Sequence, residues 1–190
     1  MKLYESLPDT VTVGRRVYRV DMDFRNILRM MEILQDGGLT PEAREWAAAR
    51  CVVKHPRKGV LEAVKKLAFG VEERTKEQHK RVTSFEQDAG LIRAAFRQAY
   101  GIDLWTEKLH WFQFWELLQA LPEDTRYVNI VGIRARPMPK ATKYNQEERD
   151  WLRKQKRQFA LKETEEEEER TYEQNVADVF RGLLGMIPKG

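Results

Sequence analysis

Residues 84–121 read SFEQDAGLIRAAFRQAYGIDLWTEKLHWFQFWELLQAL, the stretch with the densest aromatic content and the clearest helix punctuation in the chain. Ser84 and Gln87 stand three apart, the spacing at which two side chains satisfy orphan amides at a helix start. Phe85, Ala89, Ile92, Phe96 and Tyr100 follow at helical steps, so one face is apolar. Gly101 suits the left-handed residue that ends a helix, and Ile102 beyond it is placed to fold back onto Phe96. A second helix is predicted from about Asp103 or Thr106 to Leu121, stopped by Pro122. Trp111, Phe114, Trp115, Leu118 and Leu121 make its main face, widened by Leu109 and Phe112, which predicts burial on most sides. This pair of helices is the expected core. Ring surface left uncovered at Trp111 and Trp115 is a candidate docking site for a partner.

Working outward, 190 residues suffice for one domain with a tail. Charged residues make up 34% of the chain and the mean hydropathy is −0.67, so part of it is expected to be solvated helix or tail. No apolar run approaches the roughly 20 residues that span a bilayer, and MKLYESLPDT has no apolar centre of a signal peptide. The expected location is the cytoplasm, without membrane attachment. Cys51 is the single cysteine, which excludes an internal disulfide and a cysteine-built zinc site within one chain. The net charge of +4 arises from 34 basic against 30 acidic residues, so the distribution of charge matters more than its sum.

N-terminal to the core, VTVGRRVYRV at 11–20 alternates apolar and polar residues around Gly14-Arg15-Arg16 and predicts a β-hairpin. Either choice of turn puts Val11, Val13, Tyr18 and Val20 on one face. Asp21 or Asp23 caps the next helix, with a stripe of Phe24, Ile27, Leu28, Met31 and Leu34 ended by Gly37-Gly38. Thr40-Pro41-Glu42 restarts helix, carrying Trp46, Ala47, Arg50 and Cys51 towards Val53. Val60, Leu61, Val64, Leu67 and Ala68 define a third helix closed by Gly70. EERTKEQHKR at 72–81 has no apolar residue and is expected to lie in a linker over residues 71–83.

C-terminal to the core, Tyr127, Ile130, Val131 and Ile133 mark a short ordered piece that the sequence does not type. A long charged helix is predicted from Asn145, with Glu147, Glu148 and Asp150 at its positive end. Trp151, Leu152, Phe159 and Leu161 give it a sparse apolar stripe. An acidic spacer, ETEEEEER at 163–170, precedes Tyr172, Val176, Val179, Phe180, Leu183, Leu184 and Ile187 at steps of three and four. That amphipathic face returns to its own core, forms an oligomer or docks on a partner. The expected architecture is mainly α: an N-terminal β-hairpin packed on a multi-helix bundle over residues 1–161, with a long charged C-terminal helix. Residues 162–190 hold the acidic spacer and the amphipathic helix.

Catalytic patterns are not evident. His55, His79 and His110 lie on separate segments without a second ligand at metal spacing, and no glycine-rich phosphate loop occurs. Cys51 reads as a small buried hydrophobe. The expectation is no enzymatic activity, no cofactor and no metal. One basic run is a candidate nucleic-acid surface: Arg134, Arg136, Lys140, Lys143, Arg149, Arg153, Lys154, Lys156 and Arg157, with Tyr144 and Trp151 interleaved. The preferred reading of that run is a solvated helix, compensated by the acidic residues 165–169.

The pattern FEQDA at 85–89, Leu91-Ile92, Phe96, Tyr100-Gly101-Ile102-Asp103-Leu104, Leu109-His110-Trp111, Phe114 and Leu121-Pro122-Glu123-Asp124-Thr125 resembles the bacteriophage family known as gene product fifteen. The hairpin and DMDFRNIL at 21–28 are similar to its N-terminal part, and the resemblance covers roughly residues 8 to 161. It implies a small protein of the tail-morphogenesis module in the bacterial host cytoplasm, similar to tail assembly chaperones that engage the tape-measure protein before the tail polymerises. It brings no catalytic or metal-binding residues. The candidate partner contacts are then Tyr172, Val176, Val179, Phe180 and Leu183, or the rings of Trp111 and Trp115. Alternatives are a nucleic-acid-binding accessory protein using residues 134–157 and a minor structural protein of the tail.

Overall fold

Gly14 and Arg15 make the two-residue loop of the hairpin, with Gly14 at φ 62°. A positive φ confined to the first loop position is the type II′ arrangement, which matches the twist of the flanking strands. Strands β1 (Thr10–Val13) and β2 (Arg16–Arg19) pair antiparallel, with Val11 opposite Tyr18 and Val13 opposite Arg16. Val11 and Val20 are buried, and Val13 and Tyr18 pack against the core, as the alternation predicts. The computed structural model describes residues 4–70 and 82–162. The expected linker at 71–83, the acidic spacer and the amphipathic C-terminal helix fall mostly or wholly outside the described residues.

The next three helices follow their sequence signals closely. Asp23 caps α1 (Phe24–Leu34) by accepting the Arg25 N–H at 3.0 Å. Thr40 caps α2 (Pro41–Val52), accepting from Ala43 N–H at 3.3 Å, with proline at the first helical position. Helix α3 (Val60–Phe69) stops at Gly70, whose φ is 76°. The buried face of α2 differs from the expected one: Ala48, Ala49 and Val52 point inward, while Trp46 is 63% exposed and its ring lies under the Arg50 guanidinium. Three small residues in a row allow close approach of α2 from either side, so they do not set its rotation.

Helix α4 (Ala89–Tyr100) begins four residues later than the Ser84 cap signal implies. Ser84 Oγ does accept the Gln87 N–H, but the carboxylate of Asp88 takes the Ser84 N–H at 3.0 Å, so residues 85–88 form a separate turn. Gly101, at φ 68°, ends α4 as expected. Helix α5 (Trp111–Gln119) is also shorter than expected. Asp103 accepts the Trp105 N–H on its side chain and the Thr106 and Glu107 N–H groups on its carbonyl, a local turn that competes with helix. Residues 109–111 then run extended beside 22–24: Phe24 N–H donates to Leu109 O at 3.1 Å and Trp111 N–H to Met22 O at 2.7 Å.

The untyped segment after Pro122 is helix α6 (Arg126–Ala135), whose first turn is capped by the fully buried Thr125. The core lies between α1, α4 and α5, where Phe114 stacks on Phe24 at 4.6 Å and on Phe96 at 5.4 Å. The fold divides into two compact units, the first ending at Ala135 and the second starting at Arg136. The second contains α7 (Gln146–Gln158), preceded by Asn145, whose side chain closes the 140–145 turn through Lys140 O and Thr142 N–H. The architecture is mainly helical with an N-terminal hairpin.

Candidate binding surfaces

Trp111, a candidate contact residue, is 3% exposed and donates its indole N–H to Ala68 O at 2.9 Å. A ring held on both its apolar body and its polar edge is a core residue. Trp115 is 39% exposed and leans on Trp111 and Phe85 at 5.7 and 6.4 Å between ring centres. Tyr172, Val176, Val179, Phe180 and Leu183 lie outside the described residues.

A more open apolar surface lies where α1 faces the start of α4. Leu28, Met31, Phe85, Ala89, Leu104 and Trp105 line a groove of about 410 Å³. Trp105 is 68% exposed, yet its position is set from three sides. Its N–H donates to Asp103 Oδ1 at 3.0 Å, its carbonyl accepts from Arg25 at 3.5 Å, and the Arg93 guanidinium sits 4.4 Å from the ring centre. The N–H of Trp105 and the guanidinium of Arg97, at 2.6 Å, hold the Asp103 carboxyl below its ordinary value. The backbone of Trp105 is thus held at two points and its ring lies against Arg93, which leaves an exposed indole at the edge of the groove for an apolar partner. With a helix start at either Asp103 or Thr106, the sequence leaves Trp105 inside the helix or just before it, and neither placement signals its exposure. The observable clue is a tryptophan followed by five residues, Thr106–His110, before the aromatic helix face that starts at Trp111.

The basic run divides by direction. Arg134 points inward and pairs with Asp88, its side chain only 11% exposed, so it does not belong to an outer surface. Arg136 pairs with Glu148 at 2.7 Å, Arg153 with Asp150, and Arg149 donates to Pro139 O. Among the described residues, compensation comes from carboxylates inside the run, and the acidic residues 165–169 lie outside the described residues. Lys140, Lys143, Lys154 and Arg157 are exposed, as are Tyr144 and Trp151.

Among the described residues no group of three or more His, Cys, Asp or Glu side chains is arranged to hold a metal, and no helix is long and apolar enough to cross a membrane. Cys51 is partly buried and donates to Ala47 O at 3.6 Å, and burial pushes its thiol up, away from the reactive thiolate. His110 serves as the cap of α5: Nδ1 accepts the Phe112 N–H at 3.2 Å while Gln113 Oε1 takes the His110 N–H at 3.1 Å.

The described residues thus form a mainly helical scaffold with an N-terminal hairpin and an apolar groove between α1 and α4. The chain belongs to the Bacteriophage Gp15 protein family, whose model matches residues 3–161. Comparison with curated proteins and with solved structures finds no match.

Proposed function

We propose that the protein is a non-enzymatic binding protein of phage tail assembly, a chaperone that holds an amphipathic helical segment of the tape-measure chain in the host cytoplasm before the tail polymerises. The observation that carries this reading is the groove between α1 and α4, with the exposed ring of Trp105 at its edge. Its apolar lining, rimmed by Arg25, Arg29, Glu32 and Glu86, suits the apolar face of a helix with charged flanks. Membership of a phage family supports the setting. The Tyr172–Leu183 face remains a second candidate contact. Co-expression of the full-length protein with the tape-measure protein, followed by pulldown, tests the reading. Co-purification and increased solubility of the tape-measure chain are expected; recovery of nothing, with unchanged solubility, rejects it.

A second reading rests on Tyr144, 92% exposed beside Lys140 and Lys143, as a stacking ring on a cationic surface for nucleic acid. Titration with single- and double-stranded DNA at two salt concentrations separates it from the first, because phosphate binding weakens steeply with salt. Retention in the tail as a minor structural protein is checked by mass spectrometry of purified virions.

A further inference from the structure

The outer edge of β2 borders a separate concavity of about 1050 Å³, also lined by residues 50–55 and 108–110. Val20 N–H donates to Asp9 O at 2.7 Å, which fixes the phase of the ladder. Hydrogen-bonded pairs alternate along an antiparallel hairpin, so 9/20, 11/18 and 13/16 exchange bonds and 10/19 and 12/17 do not. The N–H and C=O groups of Val17 and Arg19 therefore point away from β1, into the concavity. The next outward N–H in the same phase, that of Asp21, is already taken by Val52 O at 2.8 Å. The chain itself pairs with this edge at one position and leaves it at the next two.

The walls of the concavity are cationic. Arg16, Arg19, Arg50, Lys54, Arg57 and Lys108 line it. Its carboxylates are engaged: Asp9 faces Arg19 at 3.5 Å, Asp21 accepts the Asp23 N–H, and Asp23 holds Arg25 at 2.7 Å. Arg16, Lys54 and Arg57 have no ion pair among the described residues.

We infer that this edge is a docking site for an extended acidic polypeptide segment of a partner, which adds as a third strand beside β2 with its carboxylates against the arginine and lysine walls. Backbone groups spaced two residues apart match a polypeptide strand and not a phosphodiester chain. A second copy pairing through β2 brings the Arg16 and Arg19 side chains of the two copies close together, an arrangement that like charges oppose. The site is separate from the helix groove at Trp105 and does not depend on it.

The test is fluorescence anisotropy at low salt, with full-length protein and a labelled alternating Glu-Val heptapeptide. Its counterparts are the same peptide N-methylated at alternate residues, a Lys-Val heptapeptide and an oligothymidylate of matching charge. Saturable binding of the Glu-Val peptide is expected, weakened at least about tenfold by N-methylation, a loss of the size that a few hydrogen bonds carry. Val17→Pro removes one outward N–H and no ladder bond, a placement that edge strands tolerate, and is expected to weaken binding by a similar factor with the melting temperature retained. Should that variant not fold, the N-methylated peptide decides the matter. Equal binding of the N-methylated peptide, tighter binding of the oligothymidylate or the Lys-Val peptide, or no binding overturns the inference. So does concentration-dependent dimerisation that Val17→Pro abolishes.

Discussion

Arg134 reaches Asp88 through two guanidinium nitrogens, at 2.7 and 2.9 Å, and so ties α6 to the turn that starts α4. Arg134 also donates to Val82 O at 3.2 Å, and Asp88 receives the Ser84 N–H, so the pair joins three stretches of backbone. Removing one member leaves the other charged and buried. Asp88→Asn or Arg134→Met is expected to cost about 3–5 kcal/mol in urea unfolding. The double substitution should cost less than the sum of the two, which a double-mutant cycle measures directly.

The same pair makes stability depend on acid. Burial pushes the Asp88 carboxyl up, but the hydrogen bonds from Arg134 and Ser84 outweigh it and hold the group below its ordinary value of 3.8. A carboxyl lowered by folding contributes stability that is present above that ordinary value and is lost as pH falls through the lowered one. Melting temperatures recorded from about pH 5 down to about pH 2 should fall, and fall less in Arg134→Met than in the parent.

Trp111→Ala is expected to destabilise the protein by about 3–5 kcal/mol, because the ring is buried against Phe114, Trp115 and Phe69. Trp111→Phe keeps most of the packing but strips Ala68 O of its donor, and should cost about 1–3 kcal/mol. Chemical denaturation followed by circular dichroism distinguishes the two.

Trp105→Ala should behave in the opposite way. Its ring contacts Arg93 at the surface, so the variant should unfold within about 1 kcal/mol of the parent. Under the proposed function it nevertheless loses the tape-measure protein in the pulldown. Normal stability with undiminished recovery would remove the groove from the interface.

His110 offers a local test of helix capping. With Nδ1 accepting from Phe112, the ring proton resides on Nε2, which donates to Pro8 O at 3.0 Å. His110→Ala should cost about 1–2 kcal/mol in thermal unfolding, and His110→Asn should recover the part due to the cap.

Much of the helical framework is legible in the sequence because it is written in short-range terms. Thr40-Pro41, Gly70 and Gly101 each act within one helical turn, and each marks a boundary where the sequence places it. The errors arise where a nearby residue offers two local solutions. Ser84 and Asp103 both resemble helix starts, but each closes a turn of its own, and what decides between turn and helix is the remote pairing of 22–24 with 109–111 and of Asp88 with Arg134. The groove at Trp105 is hidden for the same reason: it is made by segments some 80 residues apart, Arg25 and Trp105 among them, and no spacing along the chain encodes it. Arg134 shows the converse, since a basic residue in a basic run gives no sign that it faces inward.

The bonds from Trp111 N–H to Met22 O and from Phe24 N–H to Leu109 O also set an order of events during synthesis. The hairpin and the start of α1 leave the ribosome long before their partner strand at 109–111 exists. At about 5–20 residues per second, the intervening chain takes roughly five to twenty seconds to follow. Through that interval Met22 O and Phe24 N–H have no backbone partner, and the apolar face of Phe24 and Ile27 has no α5 to cover it. The nascent N-terminal third thus carries an unsatisfied backbone edge and an uncovered apolar face until residues 109–119 arrive.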